Sequence, residues 1–281
     1  MTDCIFVSDL HGRIDRYDKL LAAAKSEAPA AVFIGGDMLP AVPDDRYPDL
    51  VRDYLLPRLE GLLTSMGPDY PAVFAIPGND DYHGLAGELA GLEEKGLLCC
   101  LSSRSVRFRD WTVFGYAFTP PSPFLHKDWE KYDVSRYVDP GCVSPERGRR
   151  TTLVTEDARR YGTIEKDLAE LTGGEDLGKA VFLFHAPPYR TMLDRAALDG
   201  KYIDSVPMDV HVGSIAVRRL IEERQPLLTL HGHIHESARL TGVWKELLGR
   251  TVMISAAHDG PELALVRFSL EDPGEAGREL I

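Results

Sequence analysis

No run of this sequence stays apolar for the roughly 20 residues that a helix needs to cross a bilayer, so a membrane-spanning protein is not expected. Cysteine is sparse as well. Cys4, Cys99, Cys100 and Cys142 form no Cys-x-x-Cys pair, and the adjacent Cys99 and Cys100, on a strand-like run, cannot point the same way. A disulfide framework needs denser and better-spaced cysteines, so these read as free thiols in a reducing compartment. Basic residues are outnumbered, 32 Lys and Arg against 44 Asp and Glu, for a net charge of -12. Extensive nucleic-acid binding needs a basic surface, and this balance argues against it. A small anionic substrate stays open, because bound divalent cations reverse the sign of a site locally. There is no internal repeat and no low-complexity tract. Nothing at the start reads as a signal peptide, since Met1-Thr2-Asp3 runs straight into an apolar strand. The expectation is a cytoplasmic protein without a membrane partner; its oligomeric state is left open.

What is present is an alternating rhythm. Short apolar runs at 5–7, 31–34 and 73–76 are separated by helical patterns. The first places Ile14, Tyr17, Leu20, Leu21 and Ala24 at helical spacing; the second covers 50–63 and is expected to kink at Pro57. This βαβαβ order predicts a layered α/β fold with parallel strands. Strands are predicted over 97–101, 106–108 and 112–118, and a surface insertion over 119–150, rich in Pro, Gly, Arg and aromatics. A helix follows with Thr155 as its N-cap and Tyr161, Ile164, Leu168 and Leu171 on one face. The order then runs strand 181–184, helix 214–223, strand 227–230, further strands over 237–268, and a polar, loose tail at 271–281. With 281 residues, one domain spanning 1–281 can bury a sizeable core without staples.

The metal-capable side chains fall at strand ends. Asp9-Leu10-His11 ends the first strand, Gly35-Gly36-Asp37 the second, and Gly78-Asn79-Asp80-Asp81 follows the third. His185 directly follows the strand at 181–184, and Gly232-His233-Ile234-His235 the strand at 227–230. In open α/β sheets the crevice beyond the carboxyl ends of the strands is the usual ligand site, so residues far apart in the chain converge there. Two divalent ions about 3.5–4 Å apart need a bridging carboxylate with terminal nitrogen and oxygen ligands. Asp37 is the natural bridge. Asp9 and His11 can reach one ion together, His233 and His235 can reach both, Asn79 offers a carbonyl oxygen and His185 an imidazole. A hydroxide held between the ions is the expected nucleophile, because coordination lowers the pKa of water to about 7. A lone Asp-x-His is more often a capped turn, and a lone Gly-Asn-Asp usually just a turn. Five such elements at successive strand ends are not explained that way.

The combined pattern resembles the calcineurin-like metallophosphoesterase superfamily, whose signature runs Asp-x-His, Gly-Asp, Gly-Asn-His-Asp/Glu, His, Gly-His-x-His. Together with His185-Ala186-Pro187-Pro188-Tyr189 and His211-Val212-Gly213-Ser214, it looks like a prokaryotic branch of that superfamily. The resemblance implies a four-layered α/β/β/α sandwich with two central mixed β-sheets. It also implies one metal site from Asp9, His11, Asp37 and His235, and a second from Asp37, Asn79, His185 and His233. One position departs: where the motif has His after Asn, this chain has Asp80. In relatives that His contacts the phosphate and helps to protonate the leaving oxygen. An ionised Asp80 cannot; it would act only with a raised pKa, or else it orients a metal ligand. His211 and His258 are the candidates for the missing imidazole, while His231, His83 and His126 read as a packed strand-end residue, a helix-start residue and a surface residue. The expected function is metal-dependent hydrolysis of phosphate esters, with diesters favoured; a phosphomonoesterase or Ser/Thr protein phosphatase, and a non-catalytic scaffold, are the alternatives. A mixed nitrogen and oxygen site without thiolate suits Mn, Fe, Zn, Co or Ni.

Overall fold

The computed structural model describes residues 1–40 and 46–281. The chain runs β1 (Asp3–Val7), α1 (Ile14–Glu27), β2 (Ala31–Ile34), α2 (Leu56–Met66), β3 (Ala72–Ala75), α3 (Leu85–Glu94), β4 (Cys99–Cys100), β5 (Arg104–Phe108), β6 (Trp111–Tyr116), α4 (Glu156–Tyr161), α5 (Ile164–Thr172) and β7 (Ala180–Phe184). It continues through the hairpin β8 (Tyr202–Ile203) and β9 (Val206–Pro207) to α6 (Ile215–Arg224), β10 (Leu228–His231), α7 (Ser237–Thr241), β11 (Lys245–Leu248), β12 (Thr251–Ser255), β13 (Ala264–Ser269) and β14 (Gly277–Leu280). Two six-stranded sheets result, ordered β14-β13-β1-β2-β3-β4 and β11-β12-β10-β7-β6-β5. In each, four successive strands run parallel and the remaining pairings are antiparallel, so both sheets are mixed.

The strand period of two explains the four layers. Along β1, Ile5 and Val7 face outward onto α1, α2 and α3, with Val32, Ile34, Val73, Leu59 and Leu89 in the same core. Cys4 and Phe6 face inward, where Phe33, Phe74, Leu183, Leu230 and Ile254 fill the space between the sheets. Phe114, Phe182, Phe184 and Met253 face outward from the second sheet onto Ile164 and Leu168 of α5 and Val217 and Ile221 of α6. The sandwich is the α/β/β/α arrangement expected, and the apolar runs at 5–7, 31–34 and 181–184 are continuous because both faces of those strands are buried. No helix among the described residues is long and apolar enough to cross a membrane.

Several local expectations are corrected. The single helix expected over 50–63 is two pieces. A π-helical turn at Leu50–Leu55 precedes α2, and Pro57 sits in its first turn, where a missing N–H is harmless. The single helix expected around 161 is two, α4 and α5, each with its own threonine N-cap: Thr155 accepts from the Ala158 N–H and Thr163 from the Lys166 N–H. Tyr161, placed on a buried face by periodicity, is exposed. A short helix, α7, stands where strands were expected to begin. Residues 271–281 are not a loose tail; β14 pairs antiparallel with β13 at the sheet edge. Nor is the segment 119–150 purely a surface insertion. It bridges back on itself at Thr119–Glu130 and His126–Arg149 and buries Lys127, Trp129, Glu130 and Tyr132.

Within that segment the Lys127 ammonium contacts the Glu130 carboxylate and donates to the Ser122 carbonyl (2.9 Å), while Glu130 accepts from the Ser122 N–H (2.7 Å) and hydroxyl (2.6 Å). Neither side chain of the pair reaches solvent. Removing one partner of such a pair strands the other charge, at a cost of about 3–5 kcal/mol. Glu130→Ala should lose that much in urea unfolding, and a loss under about 1 kcal/mol would show that the pair is not what holds this segment.

Candidate metal centre

The carboxyl ends of β1, β2, β3, β7 and β10 all open on one rim, and the turns leaving them are unusual. Asp9 (φ 57°), His11 (φ 47°), Asp37 (φ 49°) and His233 (φ 72°) all adopt the left-handed region that non-glycine residues avoid. Such backbone costs on the order of 1–3 kcal/mol each and persists where the surroundings enforce it. Here they do. The Asp9 N–H donates to the Gly36 carbonyl (3.0 Å), His11 N–H to Asp37 (2.8 Å) and Gly12 N–H to Met38 (2.8 Å), zipping the first two turns together. The His233 N–H donates across to Asp9 Oδ1 (3.0 Å), and the Asp80 N–H to Asp37 Oδ1 (2.9 Å). Glycine is required at two places: a Cβ on Gly36 (φ 99°) would collide with the His185 ring, and one on Gly78 with the Asp37 carboxylate.

All seven expected ligands come together. Asp9, His11, Asp37 and His235 each present a ligand atom within 4.8 Å of the others, and Asp37, His185 and His233 do the same. Asp37 belongs to both groups. Its Oδ2 lies 3.2 Å from His185 Nε2 and 3.9 Å from His11 Nε2. Asn79 joins the second group, its Oδ1 3.0 Å from His185 Nε2. His11 Nε2 faces His235 Nε2 at 3.1 Å, and His235 Nε2 lies 3.3 Å from Asp9 Oδ1. His185 Nδ1 is 2.8 Å from the Gly35 carbonyl, which fixes the proton on Nδ1 and leaves Nε2 directed at Asp37.

A family model described as calcineurin-like phosphoesterase matches residues 4–237, a span that holds every one of these residues. The chain belongs to the calcineurin-like phosphoesterase family. One solved structure aligns with 99% of this chain and 98% of its own chain, at a TM-score of 0.63 and 17% identity. The TT1561 protein of Thermus thermophilus aligns over the same shares, at a TM-score of 0.57 and 18% identity. Likeness at such identities shows the fold alone. An uncharacterised protein of Methanocaldococcus jannaschii is 36% identical over 80 residues, 27% of this chain. The chain spans 31% of that relative's length.

The donor set fits the divalent cations of a metal-dependent phosphoesterase. Ligand bonds of about 2.0–2.2 Å place the donors of one ion some 3–4.5 Å apart, the spacing found here. Asp9 Oδ2 is buried and has no hydrogen-bond partner among the described residues, a costly arrangement that a cation would relieve. Without cations the imidazoles carry the compensating charge. Burial opposes protonation of His185, but the Asp37 and Asp9 carboxylates outweigh it and push its pKa up to about 10. His235, likewise resisted by burial and favoured by Asp9, is pushed up to about 9. His233 is pushed down to about 3 by burial and by the charge on His185.

The remaining candidates of this chain are dispersed. Asp80 accepts from the Asn79 side-chain amide (3.0 Å), and its Oδ2 lies 3.7 Å from His11 Nδ1. It borders the centre on the outer side of two expected ligands. His211 and His258 are not within either donor group. His211 Nδ1 pairs with Asp194 (2.7 Å) and His258 Nε2 with Glu262 (3.0 Å). His231 is the packed residue expected, both ring nitrogens bonded to Ala186 O and Thr229 Oγ1. Against expectation, His126 is not simply at the surface: its Nε2 lies 3.1 Å from the Asp81 carbonyl. Two positioning residues had no role assigned from the sequence pattern. Asp81, fully buried, accepts from the N–H groups of Met38 (3.1 Å), Leu39 (2.8 Å) and Gly78 (2.8 Å), joining the turns after β2 and β3. It occupies the acidic last position of the Gly-Asn-His-Asp/Glu motif, which was the available signal. Arg16 donates to the carbonyls of Asp9 (2.6 Å) and Gly260 (2.7 Å), and nothing in the α1 pattern marked it.

The pKa directions give a sign for metal binding. His185 and His235 hold protons below about pH 9–10 in the cation-free protein, and a cation must displace them. Affinity for Mn²⁺ should therefore rise between pH 6 and pH 9, with proton release visible by calorimetry in buffers of different ionisation enthalpy. Asp37→Asn should weaken binding at both sites. A pH-independent affinity, or an Asp37→Asn protein that binds two ions as tightly as wild type, contradicts the assignment.

Proposed function

We propose that this phosphoesterase hydrolyses phosphodiesters in preference to phosphomonoesters, using two divalent cations drawn from Mn, Fe, Zn, Co and Ni. Asp9, His11, Asp37 and His235 would hold one, and Asp37, Asn79, His185 and His233 the other. The observation that carries this reading is the membership of Asp37 in both donor groups, since one carboxylate serving two clusters is what a dinuclear centre needs. Bound there, the cations would supply Lewis acidity toward the phosphoryl oxygens and acidify water to a pKa of about 7. The protein's own part is orientation. Gly35 holds the His185 ring through Nδ1, and the Asp80 and His233 N–H groups fix the carboxylates of Asp37 and Asp9. The completeness of the ligand set counts against a scaffold that has lost its chemistry. The free thiols suit a cytoplasmic setting.

The preference for diesters rests on Asp80. Burial and the Asp37 charge raise its pKa in the cation-free protein; two cations bound beside it would favour the carboxylate, on a side chain 41% exposed at the edge of the centre. A monoester dianion meets that charge with one more negative charge than a diester does. One like-charge contact near a wet surface is worth about 1 kcal/mol or slightly more, a factor of roughly five to ten.

The test is kcat/KM for a matched aryl monoester and aryl diester, assayed with each of the five metals. Wild type should favour the diester, and Asp80→Asn should shift the ratio toward the monoester by roughly five- to tenfold. A wild-type preference for the monoester, or a ratio unmoved by the substitution, sinks the role given to Asp80.

A further inference from the structure

Where the family motif places an imidazole to protonate the leaving oxygen, this chain has Asp80. One histidine outside the metal centre is built for that task. Asp194 is fully buried and accepts from three backbone N–H groups, those of Arg190 (2.9 Å), Thr191 (3.1 Å) and Gly213 (3.1 Å). The same carboxylate lies 2.7 Å from Nδ1 of His211. A carboxylate so placed holds the ring through an Nδ1 proton and leaves Nε2 directed away from Asp194. The His211 side chain is 27% exposed, so the ring is held from one side and accessible from the other.

Its loop is anchored to the chain next to two of the proposed ligands. The loop that carries both residues begins at Ala186, directly after His185, and returns to the same point through the Pro188–Ser214 bridge. Within the loop Arg195 pairs with His211, and two residues further on the Ala197 N–H donates to the Glu236 carboxylate (3.0 Å), next to His235. The pair is thus anchored between the chain positions of two proposed ligands. The alternatives are occupied otherwise. His231 has both nitrogens bonded in the core, His258 pairs with the half-buried Glu262, His126 is bonded to a backbone carbonyl, and the His83 ring stacks on Trp129.

We infer that Asp194 and His211 form a proton-donating dyad for the phosphodiester hydrolysis proposed above, on which this inference rests. As water adds to phosphorus and the bond from phosphorus to the leaving oxygen breaks, the Nε2 proton passes to that oxygen, which departs as a neutral alcohol. The proton lost by the attacking water returns to the imidazole through solvent, so the ring and the Asp194 carboxylate end each cycle unchanged. His211 is the catalytic residue and Asp194 the positioning residue.

The experiment compares wild type, His211→Gln and Asp194→Asn, each loaded with Mn²⁺, on methyl phosphodiesters whose leaving group runs from 4-nitrophenol through phenol to a simple alcohol. Loss of a general acid costs about 10²- to 10⁴-fold where the leaving group is poor and little where it is good. His211→Gln should therefore lose about that much on the alkyl and phenyl diesters and under about threefold on the 4-nitrophenyl diester. Asp194→Asn should show the same slope with a smaller loss. A readout without turnover accompanies it: the cation-free protein should show a downfield Nδ1 proton of His211 by NMR, absent in Asp194→Asn. Should Asp194→Asn fail to fold, His211→Gln decides alone, since it leaves the buried carboxylate with its backbone partners. A loss equal across the series, or no loss, overturns the dyad while leaving the hydrolytic reading intact. No wild-type turnover of the 4-nitrophenyl diester overturns both.

Discussion

The arrangement turns on the Asp37 carboxylate, which is shared by two donor groups and almost completely withdrawn from water. A buried carboxylate is costly unless it is bonded and opposed by positive charge. Asp37 meets both conditions: its Oδ1 accepts the Asp80 N–H, and its Oδ2 faces His185 and His11. To bring it there the backbone takes a left-handed turn at Asp37, with Gly36 and Gly78 giving up side chains so that His185 and the carboxylate can approach. The protonation state of the surrounding imidazoles follows from the same fact. His185 and His235 are held charged because the acids around them are concentrated, and a cation takes over that compensating role when it displaces their protons.

Rigid elements supply the precision that this arrangement needs. Each donor sits within a few residues of a strand that is buried on both faces, and cross-links join the turns. Asp81 binds the turn after β2 to the turn after β3. Arg16 binds the turn after β1 to the segment around Gly260. The His185 ring bonded to Gly35 and the His233 N–H bonded to Asp9 span from one sheet to the other. The centre is therefore a junction between the two sheets, and their packing through Phe6, Phe33, Leu183 and Leu230 sets its dimensions.

Around the centre the two longest loops are anchored to it as well. His126 and Asp128 fasten the segment 119–150 to Asp81 and His83, and Glu236 fastens the segment 186–214 near His235. Substrate would meet these loops before it meets the cations. The replacement of the motif histidine by Asp80 changes the division of labour at this entrance. Asp80 lies against His11 and Asn79, and in the reading proposed here it adds charge while the proton for the leaving group comes from the loop that follows His185.

The succession of strands along the chain and the convergence of the seven polar side chains at their ends were legible in the sequence for one physical reason. A strand buried on both faces is a continuous apolar run, and the polar residue that ends it is placed at the sheet's edge by the strand itself. Asp9, Asp37, Asn79, His185 and His233 could be read in that way, and periodicity gave α1 and α6 nearly to their ends. Where local signals compete, periodicity was insufficient. Gly162 and a second threonine cap split one helical pattern into α4 and α5, and the polar residues after 270 pair as β14 because an edge strand of the first sheet was available to them. Only the tertiary structure decided which polar residues away from the strand ends matter. Asp81, Arg16, Lys127 and Asp194 are ordinary acids and bases in one dimension. Their roles come from burial against backbone groups contributed by distant segments, and no local pattern encodes which carbonyl or N–H will be left needing a partner.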